Sequence, residues 1–241
     1  MSKLPENGKL TMQEAVTVST NLVTVLHTLT KDLELKMPRS PLYLPSTSSS
    51  SSDAPVAGED DQYDAKMELI LVWGAASSVG QYALQVLKNW GYTNVIAVAS
   101  KKHHQELLTL GAAVCFDYQE KDVTEVIRRF VAVAVPPSSS SPDIPLVLDC
   151  IGDLEGSLRP LTRLAEKGTK VAVMLPVINK HATEDEPPEY EMDATKVLEG
   201  EWKEGVILRG VRTHFYTHVS SSRQKYPLSM RRGLELTQMI E

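Results

Sequence analysis

The run Glu68-Leu69-Ile70-Leu71-Val72-Trp73-Gly74-Ala75-Ala76-Ser77-Ser78-Val79-Gly80-Gln81-Tyr82-Ala83-Leu84-Gln85-Val86-Leu87-Lys88 constrains the fold of this chain more than any other stretch. Five apolar residues, a glycine turn and then helical periodicity read as strand, tight loop and helix. Val79, Ala83, Val86 and Leu87 fall on one helical face, and Gln81, Gln85 and Lys88 fall elsewhere. A helix starting at such a loop presents unpaired backbone N–H groups and the positive end of its dipole, which suit a pyrophosphate. Gly74 and Gly80 let backbone approach that group, and the hydroxyls of Ser77 and Ser78 add donors. The spacing, Gly-x-x-x-x-x-Gly, departs from the usual Gly-x-Gly-x-x-Gly fingerprint. A structural strand-to-helix turn without a ligand therefore stands beside the phosphate reading.

Downstream the pattern alternates. Strands are expected at Asn94–Ala99, Ala113–Asp117, Leu146–Ile151 and Lys170–Leu175, with helices at His103–Leu110, Asp122–Val133 and Gly156–Glu166. Gly111 reads as a helix C-cap and Asp122 as an N-cap. Apolar strands alternating with helices predict an α/β fold, a doubly wound, Rossmann-type parallel sheet covered on both faces. Gly205–Val211 alternates like a sixth strand, and residues 176–204 read as a surface excursion with one short helix. Before the sheet, residues 11–30 form a helix capped by Thr11, with Glu14 completing a capping box. Residues 38–66 are Pro-, Ser- and acid-rich and read as a disordered insert, as does the shorter tract from Pro136 to Pro142. The expected division is a helical segment at 1–37, the insert at 38–66, the Rossmann-type sheet domain at 67–212 and a segment with a terminal helix at 213–241.

With a net charge of −6 the chain shows no nucleic-acid footprint, and its apolar runs are too short to span a membrane. The N-terminus lacks a signal peptide's apolar core, and Cys115 and Cys150 read as reduced, buried thiols in a cytoplasmic protein. No metal-ligand spacing occurs among the histidines and cysteines.

In a dinucleotide-binding sheet, the residue after the second strand reads the adenosine ribose, and an acid there favours NAD. Here the strand ends in Ser100-Lys101-Lys102-His103, without an acid, which favours the 2′-phosphate of NADP. The alternative is a solvated helix start, although cations are disfavoured at a helix N-terminus.

Leu71 to Ala83, Ile96-Ala97-Val98-Ala99-Ser100, Leu110-Gly111-Ala112-Ala113, Phe116-Asp117-Tyr118 and Val147-Leu148-Asp149-Cys150-Ile151 together resemble the cofactor half of the medium-chain dehydrogenase/reductase superfamily. The zinc-independent branch with fungal trans-acting enoyl reductases and quinone-reductase-like enzymes is the nearest in appearance. The resemblance implies that Ser77, Ser78 and Val79 hold the pyrophosphate, that Ser100 and Lys101 hold the 2′-phosphate, and that Tyr118 lies near it. It places Cys150 and Ile151 at the ribose and nicotinamide, with Met174, Leu175, Pro176 and Thr24 beside the nicotinamide. Tyr118 and Met174 also read as packing residues. The family's GroES-like domain and its zinc ligands have no counterpart in this sequence, so the resemblance implies a truncated, zinc-independent member. Its implied activity is NADPH-dependent reduction of a small-molecule enoyl group, possessed by this chain or lost from an inactive NADPH-binding module. Tyr216, Tyr190 and His214 are the candidate proton donors. The apolar residues Val16, Leu22, Val23 and Leu26 predict a homodimer or aggregation.

Overall fold

The computed structural model describes residues 12–36, 68–134 and 142–212. Both serine-rich tracts, apart from Pro142, and the expected terminal helix lie outside the described residues, as do His214 and Tyr216.

Six strands form one parallel sheet: β1 (Ile70–Trp73), β2 (Val95–Val98), β3 (Val114–Phe116), β4 (Leu146–Asp149), β5 (Lys170–Met174) and β8 (Ile207–Val211). Their order across the sheet is β3-β2-β1-β4-β5-β8, the doubly wound order of a Rossmann sheet. Every residue of β1, β2 and β4 is buried, which is why these strands read as unbroken apolar runs. The period-2 alternation then sorts side chains between two cores. Ile70, Val72, Ala97 and Leu148 face one core, and Leu71, Trp73, Ile96 and Val147 face the other.

The first core is closed by α1 (Met12–His27), α2 (Ser78–Asn89) and α3 (His104–Leu110), through Val25, Leu29, Ala83, Leu84, Leu87 and Leu107. The second is closed by α4 (Val123–Ala134) and α5 (Arg159–Leu164), through Ile127, Val131, Leu158 and Leu161. Helix α1 widens at its end into a π-turn over Thr28–Asp32. Three threonines explain the distortion, because Thr24, Thr28 and Thr30 each donate a hydroxyl to the carbonyl four residues back, at 2.9, 2.8 and 2.6 Å.

Some boundaries differ from expectation. The helix expected to begin at Gly156 begins at Leu154 as a π-turn, because the Asp153 carboxylate accepts from the N–H groups of Glu155 and Gly156. Asp122 caps α4 through its backbone, not its side chain. At φ 58° its carbonyl accepts from the N–H groups of Glu125 and Val126, at 2.8 and 3.2 Å. Residues 176–204 hold more order than one short helix. They contain an antiparallel pair, β6 (Val177–Lys180) with β7 (Glu189–Glu191), and a 3₁₀ turn at Ala194–Lys196. The arm is anchored where the Ile178 N–H donates to the Gly152 carbonyl at 2.7 Å.

Candidate functional site

At the end of β1 the chain turns through Gly74, whose φ of 75° lies in the left-handed region, and a Cβ there would stand 2.5 Å from the Ile151 side chain. The N–H groups of Gly74 and Ala75 both donate to the Val98 carbonyl, at 3.0 and 3.1 Å, tying the loop to the end of β2. Ser77 caps α2, its Oγ accepting from the Gly80 N–H at 3.1 Å. The N–H groups of Ser78 and Val79 meet no acceptor among the described residues. Two open donors at the positive end of a 12-residue helix make a place for an anion. Gly80 serves this loop differently from the sequence expectation. A Cβ there would lie 2.7 Å from the Cα and carbonyl oxygen of Ala75, so the glycine lets the helix rest on the loop itself.

At the end of β2, Ser100 precedes a 3₁₀ turn over Lys101–His103, and its Oγ lies 3.4 Å from the Tyr118 hydroxyl. Lys101 and Lys102 are exposed and pair with no carboxylate among the described residues. Beyond β4, the fully buried Asp149 accepts from the N–H groups of Ile151 and Gly152 at 3.0 and 3.2 Å and from the Ser157 hydroxyl at 2.8 Å. Burial raises the Asp149 carboxyl to about 6, outweighing those hydrogen bonds. Burial, with the Asp149 charge adding to it, also pushes the Cys150 thiol far up, while a hydrogen bond with Ser77 pulls weakly the other way. Cys150 packs against the first core.

These ends surround a cleft of about 480 Å³. It is lined by Trp73, Gly74, Ala76 and Ser77, by Ala99, Ser100, His103 and Tyr118, and by Ile151, Asp153, Gly156, Ile178 and His181. Five of the expected site residues thus share one cleft: Gly74, Ser77, Ser100, Tyr118 and Ile151. Ile151, which the resemblance put at the nicotinamide, lines the same cleft as Ser100 and Tyr118. Ser78, Val79 and Gly80 follow Ser77 as the first turn of α2, and Lys101 follows Ser100, none of them lining the cleft. Met174 packs against the first core and Leu175 against the second. Met174 also backs the β4 turn, since a Cβ on Gly152 would meet its carbonyl oxygen at 2.4 Å. Thr24 is buried on α1 and does not line the cleft.

Sequence reasoning missed His103, Asp153, Ile178 and His181. Asp153 carried a signal, an acid just ahead of a helix; the other three carried none. A larger depression of about 640 Å³ between α4 and α5, lined by Lys121, Arg128, Arg129 and Arg163 among others, does not reach the glycine loop. Among the described residues no three His, Cys, Asp or Glu side chains gather as metal ligands, and no helix is long and apolar enough to cross a membrane.

The sheet order, the glycine loop and the cleft at the strand ends define a dinucleotide-binding fold of Rossmann type. Residues 78–196 match the zinc-binding dehydrogenase family. Over 173 residues the chain is 32% identical to an uncharacterized protein of Saccharomyces cerevisiae, covering 70% of this chain and 41% of that one. Over 63 residues it is 48% identical to the trans-enoyl reductase tazE of Aspergillus terreus, covering 26% of this chain and 20% of that one. Among solved structures, the CurK enoyl reductase superposes with a TM-score of 0.58 at 16% identity, over 98% of this chain and 53% of that one. The quinone oxidoreductase of Pseudomonas syringae gives 0.57 at 15% identity, over 99% and 56%. The family match over residues 78–196, the relatives and the shared fold all agree with the resemblance to the cofactor half of the medium-chain dehydrogenase/reductase superfamily. The chain spans 41% and 20% of the length of the two curated relatives and little more than half of the two solved chains.

Proposed function

We propose that this chain is the NADP(H)-binding part of an oxidoreductase of enoyl-reductase type, acting on a small molecule with an activated carbon–carbon double bond. The observation that carries the reading is the convergence of the glycine loop, Ser100 and Tyr118 on one cleft, with Lys101 and Lys102 following Ser100. The residues fit the cofactor. The open N–H groups of Ser78 and Val79 would hold the pyrophosphate, and Ser100, Tyr118 and Lys101 the 2′-phosphate. When bound, NADPH supplies the hydride, and the protein supplies position and electrostatics. The trans-enoyl reductase among the relatives supports the double bond as the target.

Titration of the purified chain with NADPH and NADH by calorimetry tests this directly. NADPH is expected to bind more tightly by about tenfold or more, the worth of a charge-assisted contact to the 2′-phosphate. Equal affinities would remove the 2′-phosphate assignment, and no binding of either would remove the function.

A second reading, cofactor binding without turnover, rests on the placement of one candidate proton donor, Tyr190. It is 56% exposed on β7 and does not line the cleft. Self-association belongs to the same proposal, because Val23 on α1 is 37% exposed and Leu22 and Leu26 are half-buried beside it. Sizing chromatography at micromolar concentration is expected to give a dimer or larger species, and a sharp monomer peak would count against it.

A further inference from the structure

Opposite the glycine loop, the cleft carries a histidine–carboxylate pair that the cofactor reading leaves unused. The Nε2 of His181 lies 2.5 Å from Asp153 Oδ2. The other carboxylate oxygen, Oδ1, accepts from the N–H groups of Glu155 and Gly156 at 3.2 and 2.6 Å, so the turn fixes the carboxylate's orientation. His181 itself follows β6, which is anchored to the same turn by the Ile178-to-Gly152 hydrogen bond. Two independent ties therefore hold an imidazole whose side chain is 73% exposed at the edge of the cleft. An exposed histidine left to itself would spread over several rotamers, and fixing one has an entropic cost.

The chemistry of the pair sets the tautomer. A carboxylate only accepts, so the proton of the neutral ring sits on Nε2, and Nδ1 is left as an acceptor. The cleft around it is apolar and suits a flat ring, with Trp73, Ala99, Ile151 and Ile178 on its walls. It opens at the end of β2, where a dinucleotide-binding sheet places the adenosine. A purine seated in this cleft would share it with His181, which lines it. Adenine has an amino donor at its six-position, whereas hypoxanthine has a carbonyl acceptor.

We infer that His181, positioned by Asp153, determines specificity for the base of the nucleotide by accepting a hydrogen bond from the adenine amino group. The inference rests on the NADP(H) reading and deepens it. The test compares the dissociation constants of NADPH and its hypoxanthine analogue for the wild-type chain, His181→Ala and Asp153→Asn. The wild type is expected to prefer NADPH by about tenfold, because the analogue loses one hydrogen bond and sets two acceptors against each other. His181→Ala should lose most of that preference while still distinguishing NADPH from NADH. Asp153→Asn retains the Oδ1 cap but not the fixed tautomer, and should lower the preference without abolishing binding. An undiminished base preference in His181→Ala, or a wild type that binds both bases equally, would overturn the role of His181 and leave the cofactor reading intact. A wild type that binds neither dinucleotide overturns both.

Discussion

Replacing Gly80 by alanine is expected to cost the chain about a hundredfold or more in NADPH affinity. The methyl group has no room, since it would lie 2.7 Å from the Cα and carbonyl oxygen of Ala75 and from the carbonyl of Gly74, all of them backbone. Either α2 withdraws from the loop or the loop is displaced. Both movements carry the N–H groups of Ser78 and Val79 off the phosphate, and each charge-assisted hydrogen bond lost is worth about 1.5–3 kcal/mol. Overpacking of this kind also destabilises by about 1–3 kcal/mol, so thermal unfolding should be followed alongside calorimetry. Gly80→Asp adds charge to the same clash and should leave no detectable binding. Gln85→Ala is the control, because it alters an exposed position of the same helix away from the loop. A Gly80→Ala chain that stays folded and binds NADPH as the wild type does would refute the site.

The same residue illustrates what could be read from the sequence. The position of Gly80 was legible because a close helix–loop contact leaves only glycine as a choice. Its partner was not, since the pattern alone cannot distinguish a ligand from the backbone of Ala75. The strands were legible for a related reason: with helices on both faces, β1, β2 and β4 have no polar side to interrupt them. Their expected ends overran the observed ones by a residue or two, because Ala99, Cys150 and Leu175 continue the apolar run beyond the last pairing of each strand. The β6–β7 arm was lost for the opposite reason. Glu189, Tyr190 and Glu191 form a strand whose residues stay exposed or half-buried, so no hydrophobic alternation marks it. That loss hid His181, which meets Asp153 across 28 positions only because the arm folds back. Thr24 and Met174 came from resemblance alone, and neither lines this cleft. Local chemistry was therefore readable where backbone geometry restricts the residue type, and unreadable where two distant segments meet through exposed side chains.

Asp149 should dominate the response of the fold to mutation and to pH. Asp149→Ala is expected to destabilise the chain by about 3 kcal/mol or more, because the N–H groups of Ile151 and Gly152 and the Ser157 hydroxyl lose a shared acceptor inside the protein. The β4 turn that presents Ile151 and Asp153 to the cleft would loosen with it. The pH response has the opposite sign from that of an ion-paired acid. Burial raises the folded carboxyl to about 6, whereas the unfolded one titrates near its ordinary value of 3.8. Between these limits the folded chain binds more protons, so the contribution of Asp149 to stability is fully present below the ordinary value and is lost as pH rises through about 6. At about 1.4 kcal/mol for each pH unit separating the two values, the loss approaches 3 kcal/mol. The network accommodates the proton. A protonated Asp149 can donate to Ser157 Oγ, whose own hydroxyl then turns to the Asp153 carbonyl at 3.0 Å. Asp149→Asn retains one acceptor and cannot titrate, so its stability should not decline in this window. Asp32, also raised to about 6, and His27, lowered by burial, titrate in wild type and variant alike, and their effects cancel in the difference. Urea unfolding of both proteins at pH 4 and pH 7.5 measures that difference. Parallel stabilities at the two pH values would mean that Asp149 is ionised in the fold throughout, held by its hydrogen bonds against the burial that opposes it.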